Sequence, residues 1–125
     1  MKSLLTAVTM AAAVLAPAAY ADCTYPQAPN HLPDGNTATL AEMLAGQKLV
    51  QAYNEQMTAY LACIKLERDN RVAQAGDKLT KQQKQELEAI EIQKNNAAVD
   101  QLHAVADQFN AQVKIFKARD KKSDD

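Results

Sequence analysis

Apolar residues between Thr39 and Ala75 recur at alternating steps of three and four: Met43, Gly46, Val50, Tyr53, Met57, Tyr60 and Ile64. That spacing lines them along one face of an α-helix. Beside it runs a second stripe, Ala45, Leu49, Ala52, Gln56, Ala59, Cys63 and Leu66, made mostly of small residues. Two adjacent stripes predict a helix covered from two sides, one by a second helix and the other by an extended arm. From Thr80 to Arg119 neither proline nor glycine interrupts the chain, and Ile92, Asn95, Val99, Leu102, Ala106, Phe109, Val113 and Phe116 keep the same alternation. This is the pattern of a coiled-coil seam. Asn95 breaks it with one polar residue, which either fixes the register or reaches solvent at a loose point.

The boundaries of both helices are written in their flanking residues. Thr39 with Glu42, and Thr80 with Gln83, have the spacing of capping boxes, and Gly76 suits a left-handed helix end. The segments are therefore helix one over 39–75 and helix two over 80–119, with a tail over 120–125 expected to be disordered. A connection of so few residues makes the helices antiparallel neighbours. Folding about Lys78 sets Tyr60 near Asn96, Tyr53 near His103 and Met43 near Val113. Pro26, Pro29 and Pro33 disfavour helix and central strand over 22–38 and leave an extended arm, closed by a turn at Pro33-Asp34-Gly35-Asn36. Tyr25, Ala28 and Leu32 give that arm something to dock with.

The first 21 residues read as an export signal. Lys2 is followed by an apolar run from Leu4 to Leu15, and Ala19-Tyr20-Ala21 presents small residues for cleavage after Ala21. The run is shorter than the ~20 apolar residues of a spanning helix, which argues against a retained anchor. Asp22 before Cys23 argues against lipid attachment. Export implies an oxidising compartment, the periplasm, with no stable membrane insertion once the signal is removed. Both cysteines, Cys23 and Cys63, survive cleavage. Their spacing fits neither a redox pair nor a metal knuckle, so a structural disulfide between them is expected, with free thiols or an intermolecular bridge as the alternatives. The arm is long enough to reach. Helix one climbs about 36 Å from Thr39 to Cys63, and residues 23–39 span up to ~50 Å in polyproline geometry.

Composition narrows the chemistry. Loss of Lys2, one of 14 basic residues, leaves two more acidic than basic side chains among the 15 acidic ones, a balance that gives no support to nucleic-acid binding. The chain has no tryptophan and two phenylalanines, and its abundant Ala, Gln, Lys and Glu favour helix over sheet. No glycine-rich phosphate loop, H-E-x-x-H, C-x-x-C-H or G-x-S-x-G occurs. Glu86, Glu88 and Glu91 lack the following Glu-x-x-His of a di-metal bundle and instead suit the positive end of helix two. His31 and His103 would be a metal pair only if the arm brought them together; two unrelated surface histidines are the simpler reading. Met43 and Met57 fill the seam. Lys114, Lys117, Arg119, Lys121 and Lys122 complement the negative end of helix two, a better account than binding of anionic lipid.

The arm pattern C-x-x-P-x-x-P…P-D-G, then Glu42-Met43 and Tyr53-x-x-x-Met57-x-x-Tyr60-Leu61-x-Cys63, resembles a group of small exported proteobacterial proteins. The resemblance covers residues 23–63. It implies a periplasmic address, supports the cysteine pairing and carries no activity. The expected fold is all-α: an antiparallel, coiled-coil-like two-helix hairpin with an extended proline-containing N-terminal arm docked by a disulfide. The expected role is a non-enzymatic structural or protein-interaction protein of the cell envelope, with no cofactor. Its partner would be a second copy in a homodimer or another envelope protein. A periplasmic carrier of a small ligand or metal, and a chaperone-like clamp, are the alternatives.

Overall fold

The computed structural model describes residues 23–123, so the signal-like segment and the cleavage position at Ala21 lie outside the described residues. Two α-helices, α1 (Leu40–Ala75) and α2 (Lys81–Ser123), are joined by one 3-10 turn, Gly76–Lys78, and pack against each other. Both capping boxes form. The Thr39 N–H donates to Glu42 Oε2 at 2.6 Å, and the Glu42 N–H donates to Thr39 Oγ1 at 3.2 Å. Thr80 and Gln83 exchange the equivalent bonds at 2.8 and 3.1 Å. Gly76 ends α1 with φ 51°, a backbone angle that a side chain would strain, and its N–H bonds the Val72 carbonyl. The far end of α2 reaches Ser123, four residues past the expected stop at Arg119, so residues 120–123 are helix rather than tail. Lys121 and Lys122 are good helix formers whose charges suit the last turn of a helix, and no proline or glycine intervenes.

The predicted seam of α1 is the buried one: Met43, Gly46, Tyr53, Met57, Tyr60 and Ile64. Met57 is the largest fully enclosed side chain among the described residues. On α2 the centre of burial is turned from the expected line. Ala98, Val105 and Phe109 are buried, Val99, Leu102, Ala106, Val113 and Phe116 are half-buried, and Ile92 remains 52% exposed. The cause is the arm. It packs Cys23 and Ala28 against the cluster containing Ala98 and Val105, and Leu32 against Met43, Ala38 and Phe109. The stripe Ala98–Val105–Gln112 faces this third layer, so it sinks deeper than the stripe one position further on.

The arm thus lies in the groove between the helices, in contact with both, rather than on the second stripe of α1 alone. That stripe is correspondingly less covered than its spacing predicts: Leu49 is 49% and Leu66 60% exposed. At its start Cys23 is bonded to Cys63 across a sequence separation of 40, with Cα atoms 5.7 Å apart. Closing such a loop stabilises the fold by ~4 kcal/mol in the chain-entropy account. Tyr25 meets the Tyr60 ring edge-on at 5.0 Å. Further along, Pro33 approaches α1 so closely that a Cβ on Gly46 would lie 2.5 Å from Pro33 Cδ and 3.0 Å from Phe109 Cε2. A mid-helix glycine costs about 1 kcal/mol in helix propensity, and this close contact is the compensation.

The closing turn begins at Asp34, one residue later than Pro33. The Asp34 carbonyl accepts from the N–H groups of Thr37 (3.1 Å) and Ala38 (2.8 Å), and its side chain accepts from the Asn36 N–H at 2.9 Å. The turn seats on the far end of α2: the Gly35 N–H donates to Gln112 Oε1 at 2.9 Å, and Arg119 Nη2 donates to the Ala38 carbonyl at 2.6 Å. A Cβ on Gly35 would overlap the Gln112 carbonyl oxygen and stand 2.8 Å from Phe116 N.

Candidate functional site

Two helices packed side by side leave a groove on each side of their contact. The arm fills one. The other is an open cleft of about 420 Å³, lined by Val50, Gln51, Tyr53 and Asn54 of α1 and by Val99, Leu102, His103 and Ala106 of α2. The expected register places Tyr53 beside His103 in this cleft, and Met43 packs in one cluster with Val113. The two histidines do not meet. His31 lines a different cleft on the arm side, with Pro33, Gly46 and Leu49, while His103 faces the open groove. Among the described residues no three His, Cys, Asp or Glu side chains gather as metal ligands. Cys23 and Cys63 are joined to each other and serve as the clasp of the arm.

Titrating groups near these features are shifted by local hydrogen bonds and by burial. The Asn36 N–H and side chain hold the Asp34 carboxyl below its ordinary 3.8, with help from the Arg119 charge. Thr39 lowers Glu42 below 4.5 through the capping bonds, and Lys65 lowers Asp69. Burial raises the phenols of Tyr53 and Tyr60, and Tyr25 adds to both shifts. The Tyr53 hydroxyl has no hydrogen-bond partner among the described residues.

The seat of the turn was not legible beforehand. Arg119 was expected to serve only the helix end, yet it donates to Ala38 and stacks its guanidinium 4.9 Å from the Phe116 ring centre. Gln112 had no assigned part. The available signal was Gly46, a glycine inside a long helical pattern, which marks close approach by another backbone or ring. No family model, curated protein or solved structure matches this chain.

Proposed function

We propose that this chain is an exported, non-enzymatic protein of the periplasm whose open groove holds a helix of a protein partner. The observation that carries the reading is the asymmetry of α2. Its arm-side stripe is buried by the arm, while Val99, Leu102 and Ala106, facing Val50 across the cleft, stay half-buried with no other described segment laid over them. A groove between parallel ridges of helix accepts another helix by the same packing that joins α1 to α2. The disulfide supports an oxidising compartment, and no helix among the described residues is long and apolar enough to cross a membrane. The separation of the two histidines speaks against the metal-carrier alternative.

Native mass spectrometry of the protein recovered from the exporting cell tests this reading, paired with a photo-crosslinker placed either at His103 or at Leu66. The expected result is a chain beginning at Asp22 with one disulfide, and protein adducts from His103 but not from Leu66. Recovery of a single chain carrying one small molecule, with no protein adduct at His103, would overturn it in favour of a ligand carrier.

A further inference from the structure

The open groove has the composition of a surface that meets its own copy. Val99 and Ala106 line it, and Ile92 and Val113 continue their line along α2 at the same seven-residue spacing. At 1.5 Å per residue this is an apolar stripe about 32 Å long, in the repeat that coiled helices use for their knobs. Between Gln47 and Leu61 the facing flank of α1 adds Gln51, Asn54 and Thr58, and α2 contributes His103 and Asn110 beside the stripe. None of these residues is an aspartate, glutamate, lysine or arginine. Yet α1 between Leu44 and Leu61 holds Lys48 and Glu55, and α2 between Ile92 and Lys114 holds Lys94, Asp100, Asp107 and Lys114. All six fall at other positions around their helices, with Asp107 and Lys114 just beyond the flank, where they would form a rim. An interface core depleted of charge inside a charged rim is the usual anatomy of protein association.

The neutrality also says which partner. In a twofold interface the same patch faces itself, so any charge near the axis would meet an identical charge. An amide carries both donor and acceptor and can pair with its own copy; a carboxylate or ammonium cannot. A groove shaped for a different, charged partner would gain from complementary charge, and this one offers none. The size agrees as well. A strip 32 Å long and two helices wide covers roughly 600 Å² before side chains interlock, near the ~800 Å² per partner of a standard interface. We infer that the groove lined by Val50, Asn54, Val99, Leu102, His103 and Ala106 is the twofold contact of a homodimer. Two hairpins join there as a four-helix bundle, with both arms on the outside. This deepens the reading above by making the partner helix that of a second copy.

Charge placed on exposed positions of the groove tests the assignment without stressing the fold. Sedimentation equilibrium at micromolar concentration should return twice the chain mass for the unaltered protein. His103→Glu and Asn110→Glu, both at exposed sites, should each weaken association by roughly 100-fold, since the new carboxylate meets its own copy away from water. Leu66→Glu, on the other side of α1, should leave the dimer intact. Circular dichroism would check that helix content is unchanged in all three. A monomer at every concentration, or a dimer lost with Leu66→Glu and kept with His103→Glu, overturns the proposal. If the monomer still crosslinks to another protein through His103, the interaction reading survives and only the second copy falls.

Discussion

The half of the hairpin clasped by the arm and the half that projects beyond it are made from the same two helices, yet they are held by different forces. Among the described residues all the buried side chains lie in the base, along α1 from Met43 to Ile64 and along α2 from Ala98 to Phe109, with Ala38 just before them. From Lys65 to Ala97 no described residue is buried. There the seam positions turn polar, and Arg68 lies 3.2 Å from Glu91 where the base would place a methionine or tyrosine. Four of the five ion pairs among the described residues belong to this tip; the other joins Arg119 to Asp120. Exposed or partly exposed pairs of this kind contribute ~1 kcal/mol or less each. The difference teaches that a helical pair becomes a core only where a third layer covers it. Local opening should begin at the tip, where little apolar surface is lost.

The strongest way to erase the contrast is to free the arm. Cys63→Ala should lower stability by ~4 kcal/mol, the contribution of the closed loop, and open residues 23–38 to protease. Hydrogen exchange should accelerate across the base while the tip, already fast, changes little. An arm that remains protected in this variant would show that the contacts of Leu32, Pro33 and Gly35 suffice without the clasp.

Gly35→Ala acts at the other end of the arm. The added Cβ meets the backbone of α2, which cannot swing aside as a flexible side chain could. Overpacking of this kind costs ~1–3 kcal/mol and should also loosen the Arg119 bond to Ala38, both measurable by denaturant titration and amide exchange. The same seat depends on pH. Asp34 and Glu42 have lowered folded values, so their contribution is complete above the ordinary 3.8 and 4.5 and is lost as pH falls through the lowered ones. Melting temperature should therefore drop as pH falls through that window, and Asp34→Asn should flatten the drop.

The two capping boxes sharpen the comparison because they are alike in chemistry and unlike in setting. Thr39→Ala and Thr80→Ala should each cost ~1 kcal/mol locally. At the base, Thr39 adjoins the core, so its loss should appear in the melting temperature. At the tip, the loss of Thr80 should appear mainly as faster exchange over the first turns of α2. Equal shifts in melting temperature would mean that base and tip unfold as one unit.

Tyr53→Phe is expected to have the smallest effect and the opposite sign. Its hydroxyl is enclosed without a partner among the described residues, and removing a buried, unpaired polar group is neutral or stabilising by up to ~1 kcal/mol. A clear loss of stability would reveal a bond to the hydroxyl.

Sequence by itself determined the helices, their caps, their antiparallel order and the near-face partners, because three-four spacing, Thr-x-x-Glu/Gln and a short connection are local properties of the chain. It also held the Cys23–Cys63 pairing, since two cysteines allow only one intrachain bond. What it left open is which way each apolar stripe turns. Ala98, Leu102 and Val99 are neighbours on three adjoining lines of α2, and periodicity cannot choose among lines so close. That choice was made by the arm, which settled between the helices instead of along Ala45, Ala52 and Ala59, sank the Ala98–Val105 line and left the Ile92–Val113 line less deeply buried. The seat of the turn on Gln112 and Arg119 was decided in the same way: these contacts join residues 77 and 81 positions apart, and only the folded backbone brings such partners within a hydrogen bond.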